Sequence, residues 1–459
     1  MRRLVATACV MTAFGMAFAQ TATPEMSIEQ AISFALAHHP SLRARAALDR
    51  AAEARTREAR SGLLPDLDLA LQLNRATGNV LQGSLFPMHN IPNVSGPPRP
   101  SQFDSGVFGT LAGVGVSWDV VGLERRMALV DVALAEQSRT GAGTDVRRLE
   151  VAFTVADRYL NAASRAETVR AARATVERAK IFATIVKALV DQSLRPGVDL
   201  SRAQAELALA STQLIRAEQA HAAAQVDLAE ALGIAGYPVA ISPGPLLQLP
   251  PEFAAGPSPK NPKVREASAQ SASAESRARA TRLEYLPRLD VVGALWARGS
   301  GFSLTGTQGG GSSGLAPDTP NWAAGLCLTW PALEMVGTRA RSRADAAQLD
   351  FAKAHEEEIA QAVLTEIDDA RTILDGARRI AQNTPVALEA ARQAEKQATA
   401  RYKAGLATVI EVAEAQRLLA QAEIDDAVAR LGVWDAMLIL ARATGDLDPF
   451  LAAVQTGGR

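Results

Sequence analysis

The sequence predicts a mainly α-helical protein with a membrane β-barrel portion, on three observations. Two long stretches, residues 120–193 and 332–404, are rich in Ala and have a heptad-like apolar pattern. Four short segments alternate apolar with polar or small residues at the period of two that β-strands show. Landmark residues also recur at constant spacings, which predicts a duplicated unit. Each half is expected to contain a helix, two strands, a very long helix and a shorter returning helix.

The duplication rests on matched positions in the two halves of the chain. Pro40 and Pro65 recur as Pro262 and Pro287 at a shift of 222. Further along, the shift is 212, and the matched pairs are Trp118 with Trp330, Asp157 with Asp369, Gln204 with Gln416 and Gly233 with Gly445. We therefore predict a signal segment (1–19), a first repeat (20–233), a linker between the repeats (234–260), a second repeat (261–445) and a C-terminal tail (446–459).

Residues 1–19 have the pattern of a secretory signal peptide. Arg2 and Arg3 precede an apolar run that ends at Phe18, and small residues at positions 17 and 19 fit cleavage after Ala19. The apolar run is too short for a lasting transmembrane helix, although a retained anchor is the alternative. After cleavage the chain would keep one thiol, Cys327, and no lipid-attachment Cys. We therefore expect export without a lipid anchor.

Composition and motifs exclude several classes of function. The formal net charge is −1 and basic residues are not clustered, so a nucleic-acid surface is not expected. We find no pairing of a nucleophile with a base, no phosphate-binding Gly-rich loop and no Cys-x-x-Cys, so we expect neither catalysis nor a cofactor. His38 and His39 are adjacent and lack a third ligand, so no metal site is expected.

The strand segments 65–74, 110–118, 289–295 and 322–330 each predict one apolar face. The apolar positions are Leu67, Leu69, Leu71, Leu73, Ala112, Val114, Val116, Trp118, Leu289, Val291, Leu295, Trp322, Ala324, Leu326, Leu328 and Trp330. This alternation suits strands with lipid on one side and water on the other, and Trp residues at strand ends favour a membrane interface. A soluble sandwich is the alternative. Segments 79–106 and 300–320 are expected to be external loops.

Four strands cannot close a barrel by themselves. An open strand edge in lipid leaves backbone hydrogen-bonding groups unpaired, which costs several kcal/mol. Several subunits must therefore share one barrel.

The helices set the expected length of the part of the protein outside the barrel. Each long helix would span about 110 Å, and the returning helix 199–232 would span about 50 Å. Pro385 is expected to interrupt and bend the second long helix. An ordinary soluble coiled coil is the alternative for the helices.

Three sets of residues carry a resemblance to a known family. They are the openings His39-Pro40 and Asn261-Pro262, the strand openings Leu64-Pro65 and Leu286-Pro287, and the segment 402–416, which reads Tyr-Lys-Ala-Gly-Leu-Ala-Thr and then Val-Ile-Glu-Val-Ala-Glu-Ala-Gln. On these residues the chain resembles the TolC-like outer-membrane efflux proteins over about residues 27–450. The resemblance implies a homotrimer with a shared twelve-stranded barrel in outer-membrane lipid and an α-helical tunnel across the periplasm. It also implies a periplasmic adaptor and an inner-membrane transporter as partners.

The resemblance further implies site residues at the periplasmic tips of two helical hairpins. The expected pore constriction is formed by Glu411 and Glu414, with Asp199 and Arg202 at the matching positions of the first repeat. Arg202 breaks the acidic pattern and is expected to pair with a carboxylate of the neighbouring hairpin. The expected adaptor-contact residues are Leu194, Gly197, Tyr402, Gly405, Leu406 and Thr408.

Two alternatives remain open at the sequence level. Thr408 and Glu411 also fit a capping box, in which the carboxylate completes the start of a helix rather than lining a pore. The whole chain is predicted to be the exit duct of a tripartite efflux or type I secretion system. The alternative is a soluble periplasmic coiled-coil adaptor or scaffold.

Overall fold

The computed structural model describes residues 25–77, 106–234, 236, 239–251, 261–301, 309–330 and 332–456. The predicted signal peptide, most of loop 79–106 and much of the linker 234–260 lie outside these residues. The described elements are α1 (Ile28–His38), α2 (Pro40–Ser61), β1 (Asp66–Thr77), β2 (Gly106–Asp119), α3 (Leu123–Asp191), α4 (Gly197–Leu232), α5 (Pro262–Arg282), β3 (Arg288–Ser300), β4 (Thr319–Thr329), α6 (Met335–Lys403), α7 (Val409–Thr444) and α8 (Asp448–Thr456).

These elements agree with the predicted order and differ in some boundaries. The two very long helices, α3 and α6, have 69 residues each. Strand β2 begins at Gly106, four residues before the predicted start, because pairing with β1 continues to Thr77. Helix α6 runs through Pro385, so the predicted interruption does not occur there. A proline removes only one backbone donor, and the remaining hydrogen bonds of a long helix persist on both sides of it.

The chain divides into two compact units, and each takes segments from both repeats. The first unit contains Met1–Ala46, Gly143–Val264 and Ala360–Arg459, and the second contains Ala47–Ala142 and Arg265–Ile359. Across the residues that the structure describes, no helix combines the length and apolarity needed to cross a membrane.

The second unit contains an antiparallel sheet with the strand order β1-β2-β3-β4. Leu69 pairs with Val114, Val114 with Leu295, and Leu295 with Trp322. Residues directly opposite each other on paired strands share a face, so the predicted apolar positions lie on one side of the sheet. This face is uncovered in the single chain, where Leu69 is 79% and Leu326 73% exposed. The predicted strand register is confirmed.

A buried carboxylate fixes the junction between the strands and helix α3. Asp119 is 2% exposed, and its Oδ1 accepts hydrogen bonds from the Gly122 N–H at 2.8 Å and the Leu289 N–H at 3.3 Å. Its Oδ2 lies 3.3 Å from the Arg125 guanidinium. A buried carboxylate needs such partners to offset its lost hydration. Asp119 therefore ties the end of β2 to β3 and to the start of α3.

In the first unit, the same packing occurs at matched positions of the two repeats. Gly233 ends α4 with φ +79° and Gly445 ends α7 with φ +80°, both in the left-handed region. A Cβ atom on Gly233 would lie 2.8 Å from Pro40 Cδ, and one on Gly445 would lie 2.6 Å from Pro262 Cδ. Glycine is thus required twice, where a returning helix meets the proline that opens its repeat.

We expect Gly445→Ala to destabilise the protein and Gly432→Ala to leave it unchanged or slightly more stable. The left-handed conformation costs a residue with a Cβ atom about 1–2 kcal/mol, and the methyl group would also press on Pro262. Gly432 lies inside the same helix with no atom within 4 Å of its added Cβ. The midpoint of thermal loss of helical circular dichroism measures the difference, and equal midpoints would contradict the argument.

The C-terminal helix α8 packs on α7, close to the linker between the repeats. The ring of Phe450 in α8 lies edge-on to Trp434 in α7, with centroids 6.1 Å apart. Trp434 Nε1 donates to the Gln248 carbonyl oxygen at 2.9 Å. The Tyr159 hydroxyl lies 2.8 Å from the carbonyl oxygens of both Met26 and Ser242. The segment before α1 and the linker therefore meet on α3, the linker and α8 both contact α7, and helices α1 and α8 were not predicted.

Candidate functional site

The two helical hairpins of the first unit end in tips of matching geometry. In the first tip the Leu194 N–H donates to the Leu189 carbonyl at 2.9 Å, and in the second the Leu406 N–H donates to the Arg401 carbonyl at 2.8 Å. Gly405 has φ +78°, and Ser193, at the matching position of the first repeat, has φ +59°. Ser193 therefore takes the left-handed conformation that glycine usually supplies at a helix end.

The two tips pack on each other through a shared apolar cluster. Its buried members are Phe182, Ala183, Val186 and Ala203 from the first hairpin and Tyr402, Ala407, Val409 and Val412 from the second. The rings of Phe182 and Tyr402 meet edge to face with centroids 5.2 Å apart. Tyr402 is completely buried. Its side chain therefore joins the two hairpins and is not presented to a partner, in contrast to its predicted place among the adaptor-contact residues.

Arg195 joins the tips by polar contacts, and no sequence pattern predicted this role. Its Nη2 donates to the Tyr402 carbonyl at 2.9 Å and to the Ala407 carbonyl at 3.2 Å. Its guanidinium also lies 4.5 Å from the centroid of the Tyr402 ring. The Tyr402 hydroxyl in turn donates to Asp199 Oδ2 at 3.4 Å. Burial and the nearby Asp199 charge raise the pKa of Tyr402, so this hydroxyl stays a donor.

Glu411, predicted to line the pore, completes a capping box at the start of α7. Its Oε1 accepts hydrogen bonds from the Thr408 backbone N–H at 3.0 Å and from the Thr408 hydroxyl at 3.1 Å. These two bonds hold the pKa of Glu411 below its usual value. The capping alternative is therefore confirmed as local structure. The pore role of this exposed carboxylate stays a prediction.

The remaining predicted constriction residues differ in their surroundings. The Glu414 side chain is 76% exposed and lies 3.6 Å from Arg417, which donates to Glu206 Oε1 at 2.7 Å. Asp199 accepts a hydrogen bond from the Tyr402 hydroxyl. Arg202 is exposed and makes no hydrogen bond or ion pair with any described residue. Within one chain, Arg202 is therefore not paired with a carboxylate of the other hairpin.

Exposed apolar side chains mark the outer surface of both tips. Leu194 is 64% exposed and Leu406 70% exposed, at matching positions of the two repeats. Val198 and Ile410, also matched at the shift of 212, are exposed beside them. Sequence reasoning missed this second pair, although the repeat shift relates them. Gly197 begins α4, and Thr408 is the N-cap of α7. Among the residues described, no cluster of His, Cys, Asp and Glu is placed to hold a metal ion.

Comparison with known proteins decides which class of protein carries this fold. The family model described as outer membrane efflux protein matches residues 31–234 and 259–446. The chain belongs to the outer membrane efflux protein family. This efflux protein is thus an outer-membrane channel, as the sequence predicted. The family match begins and ends close to the two repeats and omits much of the linker between them.

Individual relatives are also outer-membrane proteins, in agreement with the family match. The efflux protein is 27% identical over 439 residues to the pyoverdine export outer membrane protein OpmQ of Pseudomonas putida, covering 92% of this chain and 86% of the relative. Its fold is similar to that of the outer membrane protein VceC of Vibrio cholerae, with TM-score 0.74 and 17% identity over 91% and 96% of the two chains. The MtrE outer membrane channel of Neisseria gonorrhoeae gives TM-score 0.72 and 19% identity over 91% and 89%.

Proposed function

We propose that this efflux protein is a homotrimeric exit duct of a tripartite efflux or type I secretion machine. Each subunit would give its four strands to a twelve-stranded barrel in the outer membrane. The observation that supports this proposal is the sheet, which has one uncovered apolar face and two outer strands, β1 and β4, that pair with no further strand of the described chain. Closure with strands of other subunits satisfies both edges and places the apolar face in lipid.

The proposed duct conducts passively and catalyses no reaction of its own. A periplasmic adaptor opens it, and an inner-membrane transporter supplies the energy. Residues 1–19 direct export and are then removed. The name of OpmQ assigns that relative to pyoverdine export. By this likeness we propose a small exported molecule as the cargo here.

The exposed apolar residues at both tips support the proposed place of adaptor docking. Leu194 and Val198 on the first tip and Leu406 and Ile410 on the second are uncovered in the single chain. A buried interface core gains most from such apolar side chains. Gly197, Gly405 and Thr408 shape the turns that present them, and Tyr402 supports those turns from inside.

The exposed carboxylates near the tips support the proposed constriction. Glu411 and Glu414 are three residues apart on α7 and so lie on neighbouring positions of one helix face. In a trimer they would form an acidic ring around the pore axis, joined by Asp199. Such a ring repels anions and attracts cations. Arg202 has no partner among the described residues of its own chain, so we propose that it pairs with a carboxylate across the subunit boundary.

We expect the purified trimer to conduct in a planar bilayer, to prefer cations and to be blocked by trivalent cations added on the tip side. Replacing Glu411 and Glu414 together with Gln removes the charge of the ring, so both the cation preference and the block should fall. Gln at position 411 keeps the acceptor that the capping box needs, so the helix start is retained. The readouts are reversal potential and the concentration of half block.

Two outcomes separate the possible roles of these residues. A double Gln variant with unchanged selectivity and unchanged block would show that the carboxylates only serve local helix chemistry. Arg202→Ser should raise the open fraction of the channel, because it removes the proposed bond between subunits. A parent protein that forms heat-sensitive trimers yet carries no current would instead contradict the proposed duct itself.

A further inference from the structure

Trp296 lies on the opposite side of the sheet from the exposed leucines. It pairs with Gly113 of β2 and Asn321 of β4, whereas the preceding Leu295 pairs with Val114 and Trp322. Successive residues of a strand point to opposite faces, so Trp296 shares its face with Gly113 and Asn321. In the proposed barrel this face lines the water-filled interior. A large aromatic residue is thus placed where polar and small residues predominate.

The strand beside Trp296 leaves the indole partly uncovered. A Cβ atom on Gly113 would lie 2.6 Å from Trp296 Cβ and 3.0 Å from the Leu295 carbonyl oxygen, so only glycine fits there. Gly115, the next residue of β2 on the same face, has no atom within 4 Å of its added Cβ. Gly113 and Gly115 thus leave β2 without a side chain directly opposite Trp296, and Leu111, the other neighbour on this face, lies opposite Arg298. Trp296 is accordingly only half-buried.

A cationic group lies next to the indole on the same face. Arg298 follows two residues later on β3, which places its Cα about 7 Å from that of Trp296. Its side chain is exposed and forms no hydrogen bond or ion pair with any residue that the structure describes. The nearby Asp318 carboxylate accepts instead from the Thr319 hydroxyl at 3.0 Å. The guanidinium is therefore available to an anion from the lumen.

We propose that Trp296 and Arg298 form a binding site for planar aromatic anions that pass through the barrel. The ring of the ligand stacks on the indole, and its carboxylate or sulfonate group pairs with the guanidinium of Arg298. The distance between the two residues matches a ligand whose charge sits at the edge of its ring system. This inference rests on the proposed function, because it requires that this face of the sheet line the lumen.

Acidic residues on the same face sharpen the expected selectivity. Asp66 and Asp68 of β1 and Asp290 of β3 lie on the Trp296 face, toward the helical end of the strands. Arg288 shares this face and Arg126 lies 3.8 Å from Asp66, so the three carboxylates and two guanidinium groups keep a net negative charge that opposes an anion approaching from that end. A small aliphatic anion has no apolar surface to offset this repulsion, whereas an aromatic anion gains stacking at Trp296. The site therefore favours aromatic over aliphatic anions of equal charge.

The test is block of single trimers in a planar bilayer by 1-naphthalenesulfonate, with methanesulfonate as the aliphatic probe. We expect naphthalenesulfonate to reduce the parent current and methanesulfonate to leave it unchanged. Trp296→Ala should raise the concentration of half block about tenfold, since stacking of one aromatic ring contributes on that order. Trp296→Phe keeps a ring and should restore most of the block. Arg298→Gln should weaken block by the sulfonate but not by neutral 1-naphthol.

Trp322→Ala is the matched control, because Trp322 follows Asn321 and lies on the opposite face at nearly the same height. Its block by naphthalenesulfonate should equal that of the parent. Two results would overturn the site while leaving a conducting duct. One is equal block by naphthalenesulfonate in the parent and in Trp296→Ala, and the other is an equal loss of block in Trp296→Ala and Trp322→Ala. A parent without any current would overturn the proposed duct, and this site with it.

Discussion

Replacing Leu69 or Leu326 with Arg is expected to remove most of the assembled trimer from the outer membrane. Both side chains lie on the apolar face of the sheet, and they are 79% and 73% exposed in the single chain. A lipid-facing Arg near the bilayer midplane costs about 2–4 kcal/mol, and each trimer would carry three. The measurement is the amount of heat-sensitive trimer in the outer-membrane fraction, compared with the parent at equal synthesis.

Gln72→Arg supplies the matched control for this experiment. Gln72 pairs with Leu111 and lies in β1 on the other face of the sheet from Leu69, so the same charge would point into water. We expect trimer yields near those of the parent. Normal assembly of both Leu69→Arg and Leu326→Arg would show that the apolar face does not meet lipid, whatever the yield of Gln72→Arg.

Leu406→Asp is expected to abolish export while leaving the trimer intact. Leu406 is 70% exposed and lies just after Gly405, outside the buried tip cluster, so a charge there should not unfold the hairpin. Within a docking interface the same charge would be desolvated without a partner, which is strongly unfavourable. The measurement is export from whole cells of a compound whose efflux requires the parent protein, normalised to the amount of trimer in the membrane.

Two further variants separate docking from local damage at this tip. Leu406→Met keeps an apolar side chain of similar volume and should export like the parent. Gly405→Pro should also abolish export, but through the turn, because φ +78° is closed to proline and the Gly405 N–H donates to the Tyr402 carbonyl at 3.0 Å. Full export by Leu406→Asp at normal trimer levels would remove this tip from the docking surface.

The strands and long helices were predictable because their signals are local and repeated. A period of two places Leu67, Leu69 and Leu71 on one face whatever their partners are, and the observed register agrees. The repeat shifts likewise identified Gly233 and Gly445, whose left-handed conformations close the two repeats in the same way. Both signals can be read within one short segment, or by comparing one segment with its duplicate.

Contacts between distant segments were not predictable. Arg195 and the Tyr402 carbonyl are 207 positions apart, and nothing in either segment alone indicates that they meet. The predicted contact role of Tyr402 came from its place in a turn motif, whereas its burial depends on Phe182 of the other hairpin. Ser193 in a left-handed conformation also escaped prediction, since serine at a helix end is compatible with several turns.

The hydrogen bonds from Thr408 to Glu411 give the second tip a tolerance to acid. A carboxyl group whose pKa is lowered by folding stabilises the folded state above its unfolded pKa, and this contribution is lost only as pH falls through the lowered value. Glu411 therefore keeps its charge down to a lower pH than a glutamate without these two hydrogen bonds. In the proposed ring, Glu411 would be a carboxylate that still repels anions when the medium around the cell becomes more acidic.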